Sequence, residues 1–343
     1  MGTGATDGAG GAAAASGSGG SEAGTGGAGG TENACTDATT AGIAAPEHRF
    51  ANWPMPHPPG TGFPNPFSYD TSQEGVVLDE VTGLMWMKVV QSSQPLSHDE
   101  AAAYCGALST GGYCDWRLPT RIELVSILDH TRVRPAYDTA VFPMAGVDPT
   151  SSYSAGNGVE SDRSGPAHEG YWYFDRDGYL TAIAADIRPR CVRTAESPPP
   201  PEERYLFAGE GGDATVTDMG TGLTWQRRLD PQLRNHADAL SYCNELAAAG
   251  GGWRLPSVKE LLTIVDETRV NPASDPAVFP DVPAYDESHQ LGFWSDTAQG
   301  GEMFSLFEDE RWYVRFYFGE TWSTQYPRGT VKLDTEISVR CVR

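Results

Sequence analysis

The chain has no excess of positive charge to offer a partner: 24 Lys and Arg stand against 46 Asp and Glu, a formal net charge of −22 at pH 7. Nucleic acid, anionic lipid and sulfated polysaccharide are held by basic side chains that release counterions, so the composition argues against those classes. The sequence also lacks any apolar run of 18 residues, and no segment reads as a membrane span. No basic start followed by an apolar stretch opens it. A secretory signal is therefore absent from this chain, and any membrane attachment is expected to run only through a lipid or signal anchor already removed. Gly-x-Ser-x-Gly, His-Glu-x-x-His and phosphate-loop motifs are missing, which favours a non-enzyme with no catalytic residues. Residues 1–33 carry almost no large apolar side chain. Being mostly Gly, Ala, Ser and Thr, they have no burial to offset the entropy of ordering and are expected to form a disordered tether.

What the chain does contain, it contains twice. Trp-Arg-Leu-Pro at 116–119 returns at 253–256, and Thr-Gly-Leu-x-Trp at 82–86 returns at 221–225. Tyr-Cys, Val-Phe-Pro and Arg-Cys-Val-Arg recur in the same order, the last ending at Arg193 and Arg343. The spacing between copies stays nearly constant through Val-Phe-Pro and lengthens only before the closing cysteine, so insertions fall late in the repeat. Solenoid units run to roughly 20–50 residues, so repeats of this length are duplicated globular domains, placed here at 67–194 and 204–343. Residues 195–203, with prolines at 198–201, read as a linker between them. Residues 34–66, rich in Pro and Gly, read as a pre-domain segment wrapping a domain surface.

Within each copy the local signals agree. Ser97 with Glu100, Thr120 with Glu123, and Ser257 with Glu260 form capping boxes, and Asn235 is a further N-cap, so two helices are expected per repeat. The first helices are placed at 101–108 and 237–249. The last third reads as β: Trp312, Val314, Phe316 and Phe318 alternate with Tyr313, Arg315 and Tyr317, and 171–174 with 179–184 form a hairpin around a turn at 175–178. The fold class is α+β, two tandem domains, each with two helices, a small antiparallel sheet and long loops.

Cysteine placement carries the next step. Cys105 and Cys191 bracket the first repeat from its first helix to its last strand, and Cys243 and Cys341 bracket the second in the same way, so one disulfide is expected per domain. Each closure would stabilise its fold by roughly 4–5 kcal/mol in the chain-entropy picture. Cys35 and Cys114 have no counterpart in the second copy; they either pair with each other or stand apart. No Cys-x-x-Cys and no His at ligand spacing supports a zinc site, and disulfides imply an extracytoplasmic location: periplasm, cell surface or medium.

Gly-Leu-Met-Trp, Ala-x-x-Tyr-Cys, Asp-Trp-Arg-Leu-Pro-Thr-x-x-Glu-Leu, Asn-Pro-Ala, Phe-Trp-Ser and Val-Arg-Cys-Val-Arg resemble the C-terminal domain family of Legionella collagen-like (Lcl) proteins, a domain of unknown function. The resemblance covers 67–193 and 205–343, more closely in the second copy. The Trp-Arg-Leu-Pro-Thr and terminal Arg-Cys motifs are also similar to formylglycine-generating enzymes, which share a C-type-lectin-like fold. That resemblance implies a C-type-lectin-like architecture for each domain. It does not carry over the copper chemistry, since the repeat cysteines read as structural staples.

Site assignments follow from the same residues. Arg117 and Arg254, beside Trp116 and Trp253, are expected to pair internally with Glu123 and Glu260 or with Asp129 and Asp266. His98 and His236, at the start of the first helices, are expected at caps or on the surface. Calcium is the remaining candidate cofactor: Asp175–Gly178 begins like a calcium loop but lacks the later carboxylates, and Glu302 with 308–310 is an acidic run, so no cofactor is assigned. The aromatic segment of repeat two reads in one of two ways: as a second layer of core covered by the neighbouring domain, or as a ligand surface with Tyr313, Arg315, Tyr317, Trp322 and Tyr326 outward to stack on a sugar ring or peptide. The resulting expectation is an exported or surface-tethered binding or adhesion protein with an extracellular glycan or protein ligand. The alternatives are a surface subunit that self-associates through these domains and a divergent formylglycine-generating-like oxidase.

Overall fold

A computed structural model describes residues 1, 50–90, 96–132, 135–143, 154–156, 171–174, 180–183, 188–196, 198–266, 269, 271–284, 292–298, 311–316, 320–323 and 333–343. The tether assigned to residues 1–33 lies outside them apart from Met1. Residues 35–343 form one compact unit.

Repeat one runs β1 (Tyr69–Asp70), β2 (Val76–Asp79), β3 (Leu84–Met87), α1 (His98–Gly106), α2 (Arg121–Ile127), β4 (Ser154–Gly156), β5 (Tyr171–Phe174), β6 (Leu180–Ile183) and β7 (Val192–Thr194). Repeat two runs β8 (Tyr205–Ala208), β9 (Thr215–Asp218), β10 (Thr224–Gln226), α3 (His236–Glu245), α4 (Val258–Leu262), β11 (Phe293–Ala298), β12 (Arg311–Arg315) and β13 (Glu320–Ser323). The first sheet has the order β1-β2-β3-β7, all antiparallel, so the end of the repeat returns to pair with its beginning. Repeat two reproduces this as β8-β9-β10, with Val342 bridging both Trp225 and Arg254 as Val192 bridges Arg117. A second antiparallel sheet follows the helices in each copy: β4-β5-β6 and β11-β12-β13. The architecture is α+β in both copies.

Local chemistry explains the turns and helix starts. Between β2 and β3, the Asp79 carboxylate accepts from the Val81 and Thr82 amides at 3.0 and 3.3 Å, and Gly83 closes the turn onto the Asp79 carbonyl at a φ of 68°. Gly222 repeats the closure onto Asp218 at a φ of 75°, a conformation that a side chain would strain. All three expected capping boxes form, and the Asn235 side chain accepts from the Asp238 amide. Helix α3 stops four residues short of the expected 249 because Leu246 turns extended, and 248–250 forms a separate 3-10 turn before the glycines at 250–252.

The two repeats are not beads on a linker. Their largest apolar cluster is shared: Val77, Trp86, Ile122, Val125 and Phe142 of the first pack in one core with Val216, Trp225, Leu261, Phe279 and Trp312 of the second. Helices α2 and α4 pack together and exchange cations. Lys259 Nζ donates to the Ser126 and Leu128 carbonyls at the end of α2, both at 2.9 Å, while Arg121 donates to the Leu262 and Val265 carbonyls at the end of α4, both at 3.2 Å. Carbonyls at a helix C-terminus lack intrahelical partners and favour a cation, so each repeat completes a helix of the other.

The pre-domain segment also departs from the surface wrapping expected of it. Ala51, Trp53, Met55 and His57 are all buried, and three of them belong to the shared core. Arg204, just before β8, holds this strap by donating to the Ala51 carbonyl and Asn52 Oδ1 while also pairing with Asp218 at 2.7 Å. His57 is fixed between the Pro64 carbonyl and Ser257 Oγ, each at 2.7 Å. The segment preceding repeat one is thus anchored on repeat two.

Candidate functional site

The Trp-Arg-Leu-Pro motif builds the frame of any site on these domains. Arg117 meets Glu123 through two hydrogen bonds of 2.8 and 2.7 Å, and one carboxylate oxygen also accepts the Thr120 amide. Arg254 and Glu260 repeat this at 2.8 and 2.5 Å, with the Ser257 amide on the same oxygen. A single glutamate therefore caps the helix and locks the arginine, the first of the two pairings the sequence allowed. Trp116 and Trp253 are buried beside them and donate their indole N–H to the Tyr113 and Ala248 carbonyls. Cys105 bonds to Cys191 and Cys243 to Cys341, each tying a first helix to the closing strand at Cα separations of 5.5 and 5.4 Å. Cys114 is disulfide-bonded as well, while Cys35 lies outside the described residues.

At Tyr313 the core reading holds and the ligand-surface reading does not. Tyr313 is 3% exposed rather than outward, and it packs edge-on against Trp294 in the cluster around Cys243–Cys341. Trp312 and Phe316, its alternates, point into the shared core. Strand β12 is central in its sheet and covered on both sides, by the core beneath α4 and by the cluster beneath α3, so alternation separates two buried faces instead of a buried and a wet one. Arg315 is partly exposed and pairs in register with Glu320. Trp322 stands opposite Tyr313 on β13, its side chain not among those described, and Tyr317 and Tyr326 lie outside the described residues.

What the fold does assemble at the surface of repeat two is polar. Asp296, on β11, is partly exposed, with Oδ1 3.7 Å from His236 Nε2 and 4.0 Å from Arg311 Nε. Burial pushes its carboxyl above the usual range, against the pull of Arg311 and Arg254. Arg254 keeps 32% of its side chain exposed, and the Phe63 ring of the strap lies 5.7 Å from its guanidinium. His236 is buried, contrary to the cap or surface role expected; its ring contacts the Ser295 carbonyl at 3.2 Å and the edge of Trp294, and burial lowers its pKa to about 4.

The Lcl C-terminal domain family matches residues 75–193 and again 214–343, most of the chain. The chain belongs to the Lcl C-terminal domain family. A search of curated proteins found no match.

The two Lcl C-terminal domains differ where the polar cluster forms. The position after Ser295 of the second is Asp296, and the position after Ser154 of the first is Ala155. Asp296 lies ahead of the long aromatic insertion, and its one signal in the sequence is a charge replacing a small residue inside a matched motif. Both calcium candidates, 175–178 and the acidic run with Glu302 and 308–310, lie outside the described residues, although β5 and β6 pair antiparallel on either side of the first. Among the described residues no three His, Cys, Asp or Glu side chains converge as a metal site, and no helix is long and apolar enough to cross a membrane.

Proposed function

We propose that this chain is an exported or surface-tethered bacterial binding protein, with a glycan or peptide as ligand and no catalytic step. Its duplicated Lcl domains are C-type-lectin-like in this reading. The fold reading is supported by the sheet that joins the beginning and end of each repeat, the disulfide from first helix to closing strand, and the small second sheet after the helices. Disulfides in both copies are compatible with an extracytoplasmic location. The observation that carries binding is the partly exposed Asp296 and Arg254 on repeat two. In repeat one the corresponding arginine is 6% exposed and spends a further N–H on Thr194 at 3.3 Å, so the scaffold folds without an accessible site.

Purified full-length chain applied to a combined glycan and peptide array is expected to give saturable capture of one ligand class at micromolar concentration; capture of nothing, with the fold verified by circular dichroism, would overturn the binding reading. One observation favours the structural alternative. Leu206 and Phe207 on edge strand β8 are 44% and 54% exposed, and an apolar sheet edge is a template for pairing with another copy. Concentration-dependent dimers in size-exclusion chromatography would support that alternative.

A further inference from the structure

The sheet of repeat two has an irregularity, and it falls at Asp296. Strand β11 pairs with β12 at Phe293–Val314 and Trp294–Tyr313, then loses register before Ala298–Arg311. Such bulges redirect a side chain and often border functional sites. Inside this one the Asp296 amide donates to the Pro256 carbonyl at 2.8 Å, and Thr297 Oγ1 accepts the Val258 amide at 2.9 Å. The bulge is therefore fastened to the Trp-Arg-Leu-Pro segment, which brings the Asp296 carboxylate within electrostatic reach of Arg254.

We infer that Asp296 and Arg254, flanked by Arg311 and Phe63, form a subsite for an uncharged saccharide, whose adjacent ring hydroxyls bridge the carboxylate and the guanidinium. The inference rests on the binding reading above and gives it a place and a ligand class. Three features select that class. First, the Asp296 carboxylate accepts no hydrogen bond from a described residue; its neighbours at 3.7 and 4.0 Å stand beyond hydrogen-bond reach, leaving acceptor positions for a hydroxyl. Second, Arg254 already pairs with Glu260 through two hydrogen bonds, so its charge does not call for an anion. Sugar hydroxyls both donate and accept, which suits an acceptor-only carboxylate next to a donor-only guanidinium. Third, Phe63 is partly exposed beside Arg254 and supplies the apolar edge on which a ring can rest.

The test compares full-length chain with Asp296→Ala on immobilised neutral oligosaccharides ending in glucose, galactose, mannose or N-acetylglucosamine, beside sialylated, sulfated and peptide probes. The expected result is wild-type capture on a neutral set and at least a tenfold weaker affinity for the variant at an unchanged melting temperature. Should the alanine variant melt lower, Asp296→Asn, of the same shape, provides the same comparison by removing the charge and turning one acceptor oxygen into a donor. Equal affinity of wild type and variant places the site elsewhere and overturns the inference while leaving the binding reading standing. Capture confined to charged or peptide probes overturns the ligand class. Capture of no probe at all removes both readings together.

Discussion

Three histidines are buried without becoming charged, and their cost should be visible as pH falls. Burial lowers His57 and His236 to about 4 and His130 to about 3, from an ordinary value of 6.5. The unfolded chain therefore binds protons that the folded chain refuses between pH 6.5 and about 4, and folding stability declines on acidification through that window by up to about 1.4 kcal/mol per pH unit for each histidine. Buried Asp79 and Asp218 act in the opposite sense: burial raises their carboxyls above the ordinary 3.8, so the folded state gains from protonating them as pH falls. His130 is the cleanest probe. It is 1% exposed, meets Trp312 edge-on at 5.0 Å, and neither of its ring nitrogens has a hydrogen-bond partner among the described residues. His130→Phe keeps a ring in that contact and removes two unsatisfied polar atoms. Calorimetry from pH 7 to 4.5 should show a melting temperature at or above that of wild type and a decline on acidification about one third shallower. An unchanged decline would mean that the imidazole is solvated.

At the level of elements, the capping boxes, the arginine–glutamate locks and the helix-to-strand disulfides were legible in the sequence because each is set by short spacing or by a repeated motif. The cation exchange between α2 and α4 was not. By motif alignment Arg121 corresponds to Val258 and Lys259 to Ile122, so the two caps are related in space without being matched in sequence, and no pattern within one repeat announces them. Lys259 is nearly inaccessible, and desolvation lowers its pKa to about 7 against the pull of Asp79 and Asp129. A neutral amine still carries two N–H donors, matching the two carbonyls it serves. Lys259→Met keeps most of the stem and leaves the Ser126 and Leu128 carbonyls without this donor, a loss of about 1–3 kcal/mol. Between pH 7 and 10.5 the unfolded lysine holds a proton that the folded one has released, so this group makes stability rise with pH in that interval. Urea unfolding should accordingly show a wild-type advantage over the variant that is larger at pH 9 than at pH 7; an advantage that shrinks would mean that the buried group remains an ammonium.

For the whole molecule, the duplication was plain in the sequence but its consequence was not. Two copies joined through prolines read as two domains with interdomain packing left open, because apolar periodicity shows that a face is buried without showing against what. The shared core supplies the answer: Trp312 packs with residues of repeat one and donates its indole N–H to the His130 carbonyl at 3.0 Å, and the strap ahead of repeat one fixes His57 on Ser257 of repeat two. Neither copy can close its helix ends or cover its core face alone. The molecule should therefore unfold as one cooperative unit, although each repeat has its own disulfide. In differential scanning calorimetry the oxidised chain is expected to give a single transition whose calorimetric and van't Hoff enthalpies agree. Residues 204–343 produced alone, with Cys243–Cys341 oxidised, should expose the core face that Ile122, Val125 and Phe142 cover and bind a hydrophobic dye strongly, with little near-ultraviolet dichroism. The control is to co-express 34–203 with 204–343 as separate chains, which restores the strap, both cation caps and the core without the proline linker. Recovery of a single sharp transition in that pair would assign cooperativity to the interface itself. Two separate transitions in the intact chain, or a well-folded isolated second repeat, would show that the shared core contributes less than each repeat's own packing.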